Sequence, residues 1–172
     1  MPSLGDFIES VQSPALRAVL RHWDEARGGQ RLPSFDSLRL HELSGQVSRM
    51  WVYRYHPDTG RFTGRLAGDQ ITKVFGKNFR NLPLEDAHSA ADYLWVHRYL
   101  TRVVTEPAIY RSAGNLYRQA GRLIEGERIA LPLADDGLQS DGVVGISDYR
   151  DPHLEGPYEL ITENELWLSL RE

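Results

Sequence analysis

Few residues of this 172-residue chain are of a type and spacing that could do chemistry. His88 and Asp92 stand four apart, which on a helix sets an imidazole and a carboxylate on one face. Asp92 can also be set against His97, and Asp148 against His153. General acid–base catalysis needs such a pair held together in a cleft. That would be the equipment of a small cavity enzyme, an isomerase or dehydratase. The same spacing also serves ordinary surface hydrogen bonding, and that reading leads, so no residue is assigned as catalytic. The six histidines lack a His-x-x-x-His spacing, so no metal site is expected. Gly28-Gly29 is not followed by the Lys-Ser/Thr of a phosphate loop and reads as a helix stop. With no cysteine, thiolate nucleophiles, disulfides, sulfur-ligated zinc and iron–sulfur clusters are excluded together.

Arg61, Arg65, Arg111, Arg118, Arg122 and Arg128, with Tyr53, Tyr55, Tyr110 and Tyr117 nearby, raise the question of a nucleic-acid surface. Twenty Lys and Arg against 24 Asp and Glu give a net charge of −4, so no general field favours phosphate backbones or anionic membranes. The expectation is a solvent-facing sheet paired with Glu125 and Glu127, or a protein interface, with no nucleic-acid partner.

The elements that must position these residues follow from periodicity and turn chemistry. Residues 13–27 read as a helix, with Ser13 as N-cap, Pro14 in the first turn and Gly28-Gly29 as the stop. Its stripe of Leu16, Leu20 and Trp23 needs a surface to cover it, either a second copy of the chain or the chain's own sheet. Residues 47–55 and 61–67 form a hairpin about His56-Pro57-Asp58-Thr59-Gly60. A short helix over 70–75 is closed by Gly76. Residues 87–105 form a longer helix with Ala90, Leu94, His97, Leu100 or Thr101, and Val104 facing inward. Strands follow over 108–117, 122–133 and 142–149. The expected architecture is α+β, a five-stranded antiparallel sheet with helices on one face and an N-terminal flanking helix. Residues 1–40 are the flanking helix and loop, 41–150 the core, and 151–172 an apolar tail packing on the core or a partner.

The ordered set Trp23, Arg27-Gly28-Gly29, Pro33 and Asp36, then Arg65-Leu66-Ala67-Gly68, Phe75-Gly76, Pro107 and Leu131-Pro132 resembles a subfamily of short, stand-alone bacterial PAS domains. Gly68-Asp69 stands where such proteins often carry Gly-Thr. The resemblance implies a sensory or regulatory module, not a catalyst. It implies binding of a small molecule or a protein partner, with signalling through altered dimer or partner contacts. The cofactor is left unknown. His97 sits where haem-binding relatives can offer an axial imidazole, with a hydrogen-bonded histidine as the stronger alternative. An adduct-forming flavin is excluded for want of a cysteine. The ligand pocket would be lined by Phe62, Leu66, Phe75, Tyr93, Leu94, His97, Tyr110, Ile129, Leu131 and Val144. Leu16, Leu20 and Trp23 would meet the dimer or signalling partner. The chain shows neither a basic segment leading into a long apolar run nor a membrane-length apolar stretch, so a cytoplasmic, membrane-free protein is expected.

Overall fold

The structure, a computed structural model, describes residues 2–152 and 155–170. Helix α1 (Leu4–Ser10) was not expected from the sequence. It is fixed by a reciprocal cap: the Ser3 hydroxyl accepts from the Asp6 amide at 3.1 Å, and the Asp6 carboxylate accepts from the Ser3 amide at 3.0 Å. Helix α2 (Pro14–Arg27) begins as the sequence indicates, with Ser13 capping the Leu16 amide and Pro14 in the first turn. After 3₁₀ turns over residues 36–49 come β1 (Met50–His56) and β2 (Arg61–Ala67). Helices α3 (Asp69–Phe75), α4 (Leu84–Ala87) and α5 (Ala90–Thr105) follow, then β3 (Ala108–Gln119), β4 (Arg122–Leu133) and β5 (Gly142–Tyr149). The tail supplies β6 (Tyr158–Leu160) and β7 (Leu166–Ser169).

All strand pairs are antiparallel, in the order β2-β1-β5-β4-β3, so the last strand of the core lies beside the first. The described sheet has seven strands where five were expected. Both extra strands come from the tail and add to the outer edge of β3, β7 along Ala108–Arg111 and β6 along Tyr117–Gln119. Strands this short give too few residues for an alternating pattern to register, yet they cover an edge that would otherwise present unpaired amides.

Apolar layers form on both faces. On one, α1 and α2 pack Phe7, Leu16, Leu20 and Trp23 against Val52, Ile129, Leu131 and Val144. On the other, α3, α4 and α5 pack against Trp51, Tyr53, Tyr110 and Val143. Leu16, Leu20 and Trp23 are fully buried by the chain's own sheet, and the Trp23 indole donates to the Pro132 carbonyl at 2.9 Å. Their stripe is thereby used up and cannot meet a dimer or signalling partner, which corrects the expectation for these three residues.

The start of α2 is stapled to the sheet by buried charge. Glu127 accepts from the amides of Gln12 and Ser13, at 3.0 and 2.7 Å, and from the Arg111 guanidinium at 2.5 Å. The Ser13 hydroxyl also donates to Asp148 at 2.6 Å. Such pairs hold only where the remaining lone pairs are also satisfied.

Candidate functional site

Between the sheet and α3–α5 lies a cavity of about 40 Å³. Trp51 and Tyr53 of β1, Arg128 of β4, and Ser147 and Tyr149 of β5 form its floor. Ile71 and Phe75 of α3, Phe79, His88, and Val96 and Tyr99 of α5 form its walls, and Leu160 of β6 completes it. Trp51 lies flat over Gly145, where an added Cβ would stand 2.1 Å from the ring, and its indole donates to the Ser147 hydroxyl at 3.1 Å. Glycine is required here for close approach of an aromatic plane to backbone.

Of the ten residues expected to line a pocket, the structure brings Phe75 to this cavity. Phe62 and Tyr110 share its layer but lie beyond its walls. Ile129, Leu131 and Val144 belong to the opposite layer, packed under α2. Both faces of β4 and β5 are covered, so alternation gives no sign of which parity faces which helix. Leu66 is displaced for a different reason. A bulge between Val52 and Tyr53 shifts the register, so Phe62 pairs with Tyr55 on the α5 side while Leu66 pairs with Val52 on the α2 side.

Helix α5 is turned relative to expectation. Asp92, Val96, Tyr99, Leu100 and Val103 face inward, and Leu94 is 65% exposed. The helix is apolar around most of its circumference, and the acidic Asp92 on the true inward stripe disguises it. Two contacts set the rotation: Tyr99 stacks on Tyr110 with centroids 4.5 Å apart, and the Asp92 carboxylate accepts the Leu160 amide at 3.1 Å. Tyr93 and His97 therefore sit beside the β1–β2 turn, and the His97 Nε2 meets the Gly60 carbonyl at 2.8 Å. An imidazole nitrogen donating to a carbonyl offers no lone pair to an iron. A cavity of about 40 Å³ also leaves no room for a porphyrin. The residues do not fit haem.

His88, Asp92 and His97 are each engaged by other partners than one another. His88 Nδ1 lies 3.1 Å from the Tyr158 hydroxyl, which itself donates to the Ala87 carbonyl at 2.8 Å. Burial, helped by the charges of Arg128 and Lys77, lowers the His88 pKa to about 4, so the ring is neutral near pH 7. The single Tyr158 proton is spent on Ala87; the Nδ1 of His88 must therefore carry the proton between them, leaving Nε2 as the acceptor. Asp92 is held by Leu160, and burial raises its pKa against that hydrogen bond. Both groups thus serve to fasten β6 across the cavity. His153 lies outside the described residues. Among the described residues there is no group of three or more His, Asp or Glu placed to hold a metal, and no helix is long and apolar enough to cross a membrane.

The arginines of β2–β4 do not share a face. Arg111 is buried toward α2 against Glu127, Arg118 pairs with Glu159 at 3.5 Å on the edge, and Arg128 lines the cavity. Arg128 and the β6 clasp are what sequence reading missed. Glu127 and Arg128 are adjacent, so one must face each layer, and that alternation was the available signal.

A family model described as a PAS domain matches residues 11–147. No curated protein matches the chain.

Proposed function

The chain belongs to the PAS-domain family, a family of sensory and regulatory modules, and from that premise we propose that it binds a small molecule in the cavity between the sheet and α5 and reports it through β6. The observation that carries this reading is the tail clasp. Leu160 lines the cavity while its amide is held by Asp92, and Tyr158 of the same strand stacks on Phe75 with centroids 4.6 Å apart. A molecule that enlarges the cavity presses on β6, which supplies Leu160 to its lining. Three residue pairs join β6 to β3, so little backbone bonding opposes its displacement. The output is a change in how the tail presents itself to a partner, a regulatory protein or a second copy of the chain. The α2 stripe takes no part, being buried.

Indole N–H resonances report on this directly. The chain has four tryptophans; Trp51 lines the cavity, whereas Trp23 sits in the opposite layer and serves as an internal control. Titrating a library of small metabolites should give compounds that shift Trp51 and the Leu160 amide and leave Trp23 in place. If every binder moves residues remote from the cavity, or the Leu160 amide stays fixed while Trp51 shifts, the reading fails.

A further inference from the structure

The two most buried arginines among the described residues are treated in opposite ways. Arg111, 8% exposed, has the Glu127 carboxylate at 2.5 Å. Arg128, 3% exposed, forms no ion pair with any carboxylate among the described residues. Its partners are all uncharged: the Leu116 carbonyl at 3.5 Å, the Tyr149 hydroxyl and the Trp95 ring at 5.7 Å. Asp92, the carboxylate whose charge it feels, is committed to the Leu160 amide. A guanidinium cannot shed its charge as a buried lysine can, so an uncompensated one is costly to keep in the interior. A second group on the same cavity is also unfinished: the buried Tyr53 hydroxyl has no hydrogen-bond partner.

Building on the cavity as the ligand site, we infer that Arg128 and Tyr53 are the polar half of a site for a compact organic monocarboxylate. One carboxylate supplies the counter-charge to Arg128 and an acceptor for the Tyr53 hydroxyl, and the Trp51, Phe75 and Tyr99 rings take up its apolar end. One cation, Arg128, stands in the cavity lining, which argues for one negative charge, since a dianion would carry an unpaired charge into the same interior. A volume of about 40 Å³, room for roughly three waters, argues for an acid of about four or five heavy atoms.

The test uses propionate as probe, propionamide as its neutral isostere and nitrate as an inorganic monoanion, followed by the Trp51 indole and Leu160 amide resonances of the full chain. Propionate should bind saturably, at least tenfold tighter than propionamide and than nitrate. Arg128→Gln should abolish that preference, and Tyr53→Phe should weaken propionate several-fold. Should Arg128→Gln fail to fold, the acid–amide comparison on the wild-type protein and the Tyr53→Phe variant still decide. Equal affinity for acid and amide, or a preference for nitrate, overturns the carboxylate assignment and leaves the cavity reading standing. If neutral compounds alone move Trp51 and Leu160, the outcome is the same. If nothing perturbs those two resonances, the cavity reading falls as well.

Discussion

His88 should make this protein lose stability well above the pH at which carboxylates titrate. An unfolded histidine titrates near 6.5, whereas in the folded chain burial beside Phe75 and Phe79, with Arg128 and Lys77 nearby, holds the value near 4. Between those values the unfolded state binds the proton and the folded state does not, so stability is full above about pH 6.5 and drains away as pH falls toward 4. The gap of about 2.5 pH units, at roughly 1.36 kcal/mol each, amounts to about 3 kcal/mol when complete. By pH 5, still above most carboxylates, about 2 kcal/mol is gone, worth roughly 4–8 °C in Tm for a chain of this size. The assay is urea unfolding of wild type and His88→Gln at several pH values from 7.5 to 5, read by tryptophan fluorescence. The other five histidines are common to both proteins and cancel in the difference. Wild type should lose about 2 kcal/mol more than His88→Gln over that interval. Parallel pH profiles, or a His88 resonance titrating near 6.5 in the folded protein, would refute the burial argument.

Arg128→Met should stabilise the ligand-free protein by about 1–3 kcal/mol, because it removes a buried charge that no carboxylate answers; a loss of stability in thermal unfolding counts against the account given for Arg128. Glu127→Gln should cost about 3–5 kcal/mol in chemical denaturation, since it strands Arg111 and weakens the hold on the Gln12 and Ser13 amides; a cost under 1 kcal/mol would mean the staple at α2 is decorative. Gly145→Ala must push the Trp51 ring aside, for about 1–3 kcal/mol and a changed near-ultraviolet circular dichroism of that ring, while Gly29→Ala meets nothing within 4 Å and should leave the signal alone.

The order of elements was legible because its marks are local. Ser13-Pro14 opens α2, Gly76 at φ 72° closes α3, and the residues about Pro57 turn the hairpin. The faces were not legible, because what fixes them is tertiary. Val144 and Val143 are equally apolar, and only the presence of α2 on one side and α5 on the other tells them apart. Leu66 needed a bulge that no residue type announces, and the turn of α5 depends on Leu160, nearly seventy positions away from its partner Asp92. The Ser3–Asp6 cap of α1 was readable in principle, being a Ser-x-x-acid pattern ahead of Phe7 and Ile8.

The two faces divide stability and response between them. On the α2 side the buried charge is answered: Glu127 has Arg111 and two backbone amides, Asp148 has Ser13 and Arg49, and the Trp23 indole has Pro132. On the α5 side Arg128 has no counter-ion among the described residues and the Tyr53 hydroxyl has no partner, while His88 is held neutral at a cost that grows with acidity. The Tyr117 hydroxyl and Gln119 Oε1 of β3 are also buried without partners, and such unanswered groups are destabilising unless something binds them. Whatever satisfies them gains most where the fold is least committed, and that is also where the tail is fastened, by Asp92, His88 and Ala87, to the walls of the same cavity. Occupancy and tail position are therefore coupled by shared residues, so a ligand that favours one arrangement of β6 must bind that arrangement more tightly, and a partner that captures the displaced tail must raise the ligand's affinity in equal measure.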